Sequence, residues 1–157
     1  MASLKFVRKV WEAFRADSGL EPHLLDSLKV TAAQPGTVQF TLPISKKHIN
    51  RLGSVHGGTI SSLVDLGGSL AVASQGLYST GVSTDLNVSF LGPAGGVGDI
   101  LRGEVKCDKF GKTLAFTSCS FYSGEGDGAK LVARGSHTKF MKQAWEDERN
   151  RVGEMVD

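Results

Sequence analysis

A chain of 157 residues, 40% hydrophobic and 22% charged, has the size and composition of one globular unit with a real core. Its 18 Lys+Arg against 16 Asp+Glu leave a formal net charge of +2, too little to hold a nucleic acid by phosphate neutralisation. The 20 glycines, about 13% and roughly twice average usage, are spread through the second half without a repeat and imply turns and close backbone approaches.

From Ser3 to Arg15, Leu4, Val7, Trp11 and Phe14 recur at three- and four-residue spacing between Lys5, Lys9 and Glu12, which predicts an amphipathic surface helix. Its basic residues give it a mild likeness to a mitochondrial transit segment, against which Glu12, Asp17 and the scarcity of serine argue. After a loop at Pro22, Leu28 to Ala33 and the alternating Val38, Phe40, Leu42 and Ile44 flank Gln34-Pro35-Gly36 and predict a hairpin. A polar stretch leads to His56-Gly57-Gly58. Beyond it Ile60, Leu63, Val64, Gly67 and Ala71 fall at helical spacing in a segment nearly free of charge, which predicts a helix buried on most of its surface.

Strands follow at Val82 to Phe90, Ile100 to Cys107, Thr113 to Tyr122 and Lys130 to Phe140, the first with strict apolar and polar alternation. The fold class is therefore α+β, an antiparallel sheet wrapped around one long buried helix. Residues 1–26 are expected to form the N-terminal helix and loop, 27–141 the sheet-and-helix domain, and 142–157 a charged tail, helical or frayed.

The uncharged run from Leu66 to Thr84 raises the question of a membrane span, which its glycines, serines and Gln75 argue against. Cys107 and Cys119 fall on strands with no secretory leader before them, so they read as free thiols in a reducing compartment, the cytoplasm or mitochondrial matrix. The Asn87-Val88-Ser89 sequon is then idle.

Asp65 lies in the most apolar helix of the chain, where a carboxylate is costly unless something uses it. Burial would suit it to general-base chemistry; an exposed edge of the helix is the equally weighted alternative. Asn50 and His56-Gly57-Gly58 precede the same helix, whose first-turn N–H groups can receive an oxyanion. The Gly-x-Ser-x-Gly elbow of a serine hydrolase is absent. His23, His48, His56 and His137 show no metal-ligand spacing. Gly57 and Asp65 are eight residues apart, about 12 Å along a helix. If both act on one carbonyl they must come from two chains, which antiparallel pairing of two copies would supply, with Gly67, Gly68, Ser69 and Ala71 allowing close approach.

Asn50-Arg51-Leu52-Gly53, His56-Gly57-Gly58, Leu63-Val64-Asp65, Val82-Ser83-Thr84-Asp85-Leu86-Asn87-Val88 and Gly111-Lys112-Thr113-Leu114-Ala115-Phe116, in that order, resemble the hot-dog-fold acyl-CoA thioesterases, in the branch that includes the bacterial phenylacetate-pathway enzymes. The likeness runs from about Lys29 to Phe140. It implies hydrolysis of medium- or long-chain fatty or aryl acyl-CoA, with Asp65 activating the water, Ser83 orienting it, Gly57 N–H and the Asn50 amide polarising the carbonyl, and His56 beside the sulfur or supporting that geometry. It further implies coenzyme A against Asp85, Phe90, Leu91, Gly92, Pro93 and Ala94 and against Lys109, Phe110, Gly111, Lys112 and Thr113. No separate cofactor is implied, since coenzyme A is part of substrate and product. A homodimer, doubled into a tetramer, is implied as the assembly. Rival readings are a hot-dog dehydratase or hydratase, which needs a base aimed at the acyl chain, and a noncatalytic acyl-CoA binder using the same groove.

Overall fold

The computed structural model describes residues 2–155. Its centre is helix α3, Gly57–Ala73, whose residues are buried on most sides. Six antiparallel strands curl around it: β1 Lys29–Gln34, β2 Thr37–Pro43, β3 Val82–Phe90, β4 Ile100–Phe110, β5 Leu114–Ser123 and β6 Lys130–Phe140, in the spatial order β1-β2-β4-β5-β6-β3. This is the antiparallel sheet around one buried helix that the alternating patterns predicted, and the hot-dog arrangement that the family resemblance implied. Alternation sets one face of β2, β4 and β5 inward: Val38, Phe40 and Leu42 from β2, Leu101 and Val105 from β4, Ala115, Cys119 and Phe121 from β5 are all buried, whereas β3 buries no residue of its alternating pattern within the chain. Burying each large apolar side chain contributes roughly 1.5–3 kcal/mol.

The β1–β2 hairpin turns at Gly36, whose φ of +83° is the left-handed conformation that glycine adopts without steric cost. One amphipathic helix packs on the core beside β1 and α3. Helix α1, Ala2–Asp17, buries Val7, Val10 and Trp11, and the Trp11 indole donates to the Leu28 carbonyl at 3.2 Å. The short helix α2, Leu20–Leu24, links it to β1. Among the described residues, no helix is long and apolar enough to cross a membrane.

Two features of α3 differ from the expectation. Gly67, Gly68, Ser69 and Ala71 are all buried within the chain, the first three against its own sheet, so they do not face a partner helix. A Cβ at Gly67 would stand 2.8 Å from Val105 Cγ2, and one at Gly68 only 2.3 Å from His137 Nδ1. These glycines let the helix settle onto β4, β5 and β6. The open stripe of α3 is instead Gly58, Ser61, Ser62 and Asp65, at three- and four-residue spacing. Asp65 lies on that stripe with its side chain 45% exposed, so the edge position, and not burial in the helix core, is what the single chain shows.

Over its described part the charged tail is helical only in the short 3-10 turn Ala144–Glu146, and it packs on the body of the chain. Trp145 packs on Phe110 with ring centroids 5.1 Å apart, and Arg149 lies 4.0 Å over the Tyr78 ring. Asn150 Oδ1 accepts from the Tyr78 N–H at 2.8 Å. The Trp145 contact holds the tail against the end of β4, and the two Tyr78 contacts hold it against the α3–β3 loop.

Candidate functional site

The Asp65 carboxylate is held from β3 and β6. Ser83 Oγ donates to Asp65 Oδ1 at 3.0 Å, and His137 Nε2 stands 2.7 Å from Ser83 Oγ and 3.3 Å from Asp65 Oδ1. With the Ser83 proton given to the carboxylate, Ser83 Oγ can only accept from His137, which puts the imidazole proton on Nε2. The result is a directed chain, His137 to Ser83 to Asp65, that fixes one carboxylate oxygen and leaves the other open. His137 is fully buried. Burial, then the charge of Lys139, pushes its imidazole down to about 4, against the opposing pull of Asp65 and Asp85. It is therefore neutral near pH 7.

A register irregularity between Ser83 and Asp85 lets this contact form. Ser83 pairs with Lys139 and Asp85 with Thr138, so the strand changes phase beside the carboxylate. Asp85 itself is exposed. The sequence reading missed His137 as a member of this group. Its signal was available: His137 shares the period-two face of Ala133 and Gly135, where a polar side chain stands out.

The other predicted residues gather at the N-terminal end of α3. His56 is the N-cap, its Nδ1 accepting from the Gly58 N–H at 2.8 Å. That bond satisfies one of the first-turn donors and leaves the Gly57 N–H without an intrahelical partner. Asn50 Oδ1 accepts from the N–H groups of Leu52 and Ser54 at 2.9 and 3.2 Å, which turns its NH₂ group outward as a donor. Asn50, Ser54, Gly57, Ile60, Phe90, Gly92, Ala94 and Val132 line a cavity of about 280 Å³. Phe90 closes over Gly57, where a Cβ would stand 3.3 Å from the ring. A side chain at 57 would thus press on the cavity wall.

Within one chain these two groups stay apart. Asp65 meets β3 at Ser83, whereas Gly57 meets it at Phe90, seven residues along the strand. The two segments expected along coenzyme A separate in the same way. Leu91 and Gly92 both donate to the Val132 carbonyl beyond the Phe90 end of β3, with Pro93 and the buried Ala94 following. The turn at Lys109, Phe110, Gly111, Lys112 and Thr113 lies near the Val82 end, because Leu114 and Val82 both pair with Phe140. Lys109, Lys112 and Thr113 are exposed there. Each chain therefore presents a base end and a donor end, and a two-fold antiparallel neighbour would set the base end of one against the donor end of the other.

Residues 52–130 match the family model described as the thioesterase superfamily. A Schizosaccharomyces pombe protein provisionally named an esterase is 43% identical over 94% of this chain and 89% of its own length. Human acyl-coenzyme A thioesterase 13 is 33% identical, over 86% of this chain and 94% of that protein. The crystal structure of zebrafish thioesterase superfamily member 2 superposes with a TM-score of 0.79 at 30% identity, covering 88% of this chain and 97% of that one.

Proposed function

Since the chain belongs to the thioesterase superfamily, we propose that it hydrolyses acyl-coenzyme A thioesters to the free acid and coenzyme A, with Asp65 as the general base. The observation that carries this reading is the Asp65 carboxylate, tied at Oδ1 by Ser83 and open at its other oxygen. The open oxygen takes a proton from water as the water oxygen bonds to the thioester carbonyl carbon. Charge then builds on the carbonyl oxygen, where the Gly57 N–H and the Asn50 NH₂ of the neighbouring chain are the available donors. Collapse of the tetrahedral species breaks the C–S bond. The proton held by Asp65 passes to the departing sulfur, so one water is consumed and a thiol and a carboxylic acid leave.

His56, fixed as the helix cap, supports the donor end. Ser83, which donates to Asp65, orients the base and through it the water. A homodimer is the smallest complete enzyme under this reading, with two equivalent sites, and the expected tetramer is a pair of such dimers. Phe90, Leu91 and the cavity beside Gly57 are the surfaces for a fatty or aryl acyl group, with coenzyme A passing along Gly92, Pro93 and Ala94 toward Lys109 and Lys112 of the neighbour. The two cysteines, free in the chain, suit a reducing compartment.

The test is Asp65→Asn, which keeps the size and removes the base. Release of free coenzyme A from a panel of acyl-CoAs of different chain length should fall by a factor on the order of 10² or more. Near-native turnover by the folded variant would remove Asp65 from the mechanism.

A further inference from the structure

One charged group beneath the Asp65–Ser83–His137 chain has no part in the chemistry described so far. Lys139 lies on the inward face of β6, two residues past His137, and is 3% exposed. Its Nζ donates at 2.7 Å to Ser69 Oγ, itself buried on α3 one turn beyond Asp65. On the strand side Lys139 is flanked by Ser83 of β3 and Ala115 of β5. Among the described residues it makes no ion pair within 4.0 Å. A buried ammonium in that state is expensive unless nearby charge compensates it. The charged and titratable groups that act on or beside it are Asp65 from α3 and His137 from β6, while the exposed Asp85 of β3 acts on His137; β5 contributes only uncharged Ala115 and Thr117 at this level.

We propose that Lys139 is a positioning residue for the hydrolytic reaction, its ammonium serving as the fixed positive charge that attracts the Asp65 carboxylate and holds His137 as a neutral Nε2–H donor. This deepens the thioesterase reading and rests on Asp65 being the base. The requirement is specific. A protonated His137, with Nε2 only 3.3 Å from Asp65 Oδ1, would form an ion pair with the carboxylate and weaken it as a proton acceptor. A neutral His137 donates to Ser83 alone and leaves the carboxylate free for water.

The electrostatics run in that sense. After burial itself, the Lys139 charge is the next largest influence keeping the His137 imidazole low. Burial brings the Lys139 ammonium down to about 8, opposed by the attraction of Asp65. The cation is thus present at neutral pH and fades above about pH 8.

The experiment compares the full-length protein with Lys139→Met, a neutral side chain of similar shape, and Lys139→Arg. His137 is followed by NMR of histidine-labelled protein from pH 3.5 to 8, and kcat/KM is followed by coenzyme A release across the pH range. In the Met variant, His137 should titrate about one pH unit higher, and the acid limb of kcat/KM should rise with it. The wild-type fall in kcat/KM above about pH 8 should disappear. The Arg variant should keep the wild-type acid limb. An unmoved His137 titration in folded Met variant overturns the proposal. Should that variant not fold, Ser69→Ala removes only the anchor of the ammonium, and an unchanged His137 titration and alkaline limb there overturns it equally. A His137 shift in a protein that releases no coenzyme A would sink the hydrolase reading while leaving the charge coupling of Lys139 to His137 standing.

Discussion

One methyl group at position 68 tests whether the His137 imidazole belongs to the working site. Gly68 lies beneath that ring: a Cβ there would stand 2.3 Å from Nδ1, 3.0 Å from His137 Cβ and 2.7 Å from Thr117 Oγ1. Neither neighbour has room to retreat, since His137 is fully buried and Thr117 Oγ1 is tied to the His137 carbonyl at 2.8 Å. Overpacking of this kind costs roughly 1–3 kcal/mol. Alanine is the better helix former by about 1 kcal/mol, so the net loss of stability in Gly68→Ala should be only about 0–2 kcal/mol. Catalysis should fall as well. Turning the ring off Ser83 forfeits one oriented hydrogen bond between two neutral groups, worth about 0.5–1.5 kcal/mol, or roughly 2- to 13-fold in kcat. The assay is steady-state coenzyme A release beside a thermal melt, with Gly19→Ala, where a Cβ meets nothing within 4 Å, as the control. KM should stay near the wild-type value, because the ring is remote from the acyl cavity. A folded Gly68→Ala enzyme with wild-type kcat would refute the directed chain.

Ser83→Ala and Asn50→Ala should each lower kcat more than they raise KM, because the contacts they remove strengthen as charge develops; a change confined to KM would make the residue a binding contact. Co-refolding equal amounts of Asp65→Asn and Asn50→Ala should restore activity to about a quarter of wild type, since half the dimers are mixed and each mixed dimer holds one intact site. Heterodimers that form without activity would end the shared-site geometry. Acid unfolding should carry the mark of His137. Burial holds its imidazole at about 4 in the folded chain against 6.5 in the unfolded one, so the unfolded state takes the proton first. Stability is complete above about pH 6.5, and about 3 kcal/mol should be lost as pH falls to 4. His137→Gln should flatten that slope in urea melts recorded across this range; an identical slope would show that His137 is not the group responsible.

The sequence carried the layer architecture and the chemistry-bearing ends of α3, because both are written at short range. Period-two alternation marks β2 and β3, and a charge-poor helical stretch marks α3. Asp65 stood out against its neighbours, and Ser83 entered through the family likeness. What stayed hidden depends on which surface meets which. α3 is apolar over so much of its circumference that periodicity could not decide whether Gly67 and Gly68 face a sheet or a second helix, and they face the sheet. His137 and Lys139 are within reach of the alternation rule on β6, where they fall on the same inward face as Ala133. The register irregularity at Ser83 and the docking of Asn150 on Tyr78 had no local signature at all, the second joining residues 72 apart.

Strand β3 ends the sheet, and its outer backbone edge has no neighbouring strand among the described residues. Along it Val82 is 62% and Leu86 39% exposed. A nine-residue edge of this kind is a template for any extended segment that drifts past, which is how soluble proteins begin to aggregate. Under the shared-site reading a second copy set against β3 would cover this edge, and solubility and activity of the chain would then share one determinant. A substitution that splits the assembly should yield precipitate more readily than inactive monomer, and charges engineered onto that edge to keep it soluble would abolish turnover without touching a reacting residue.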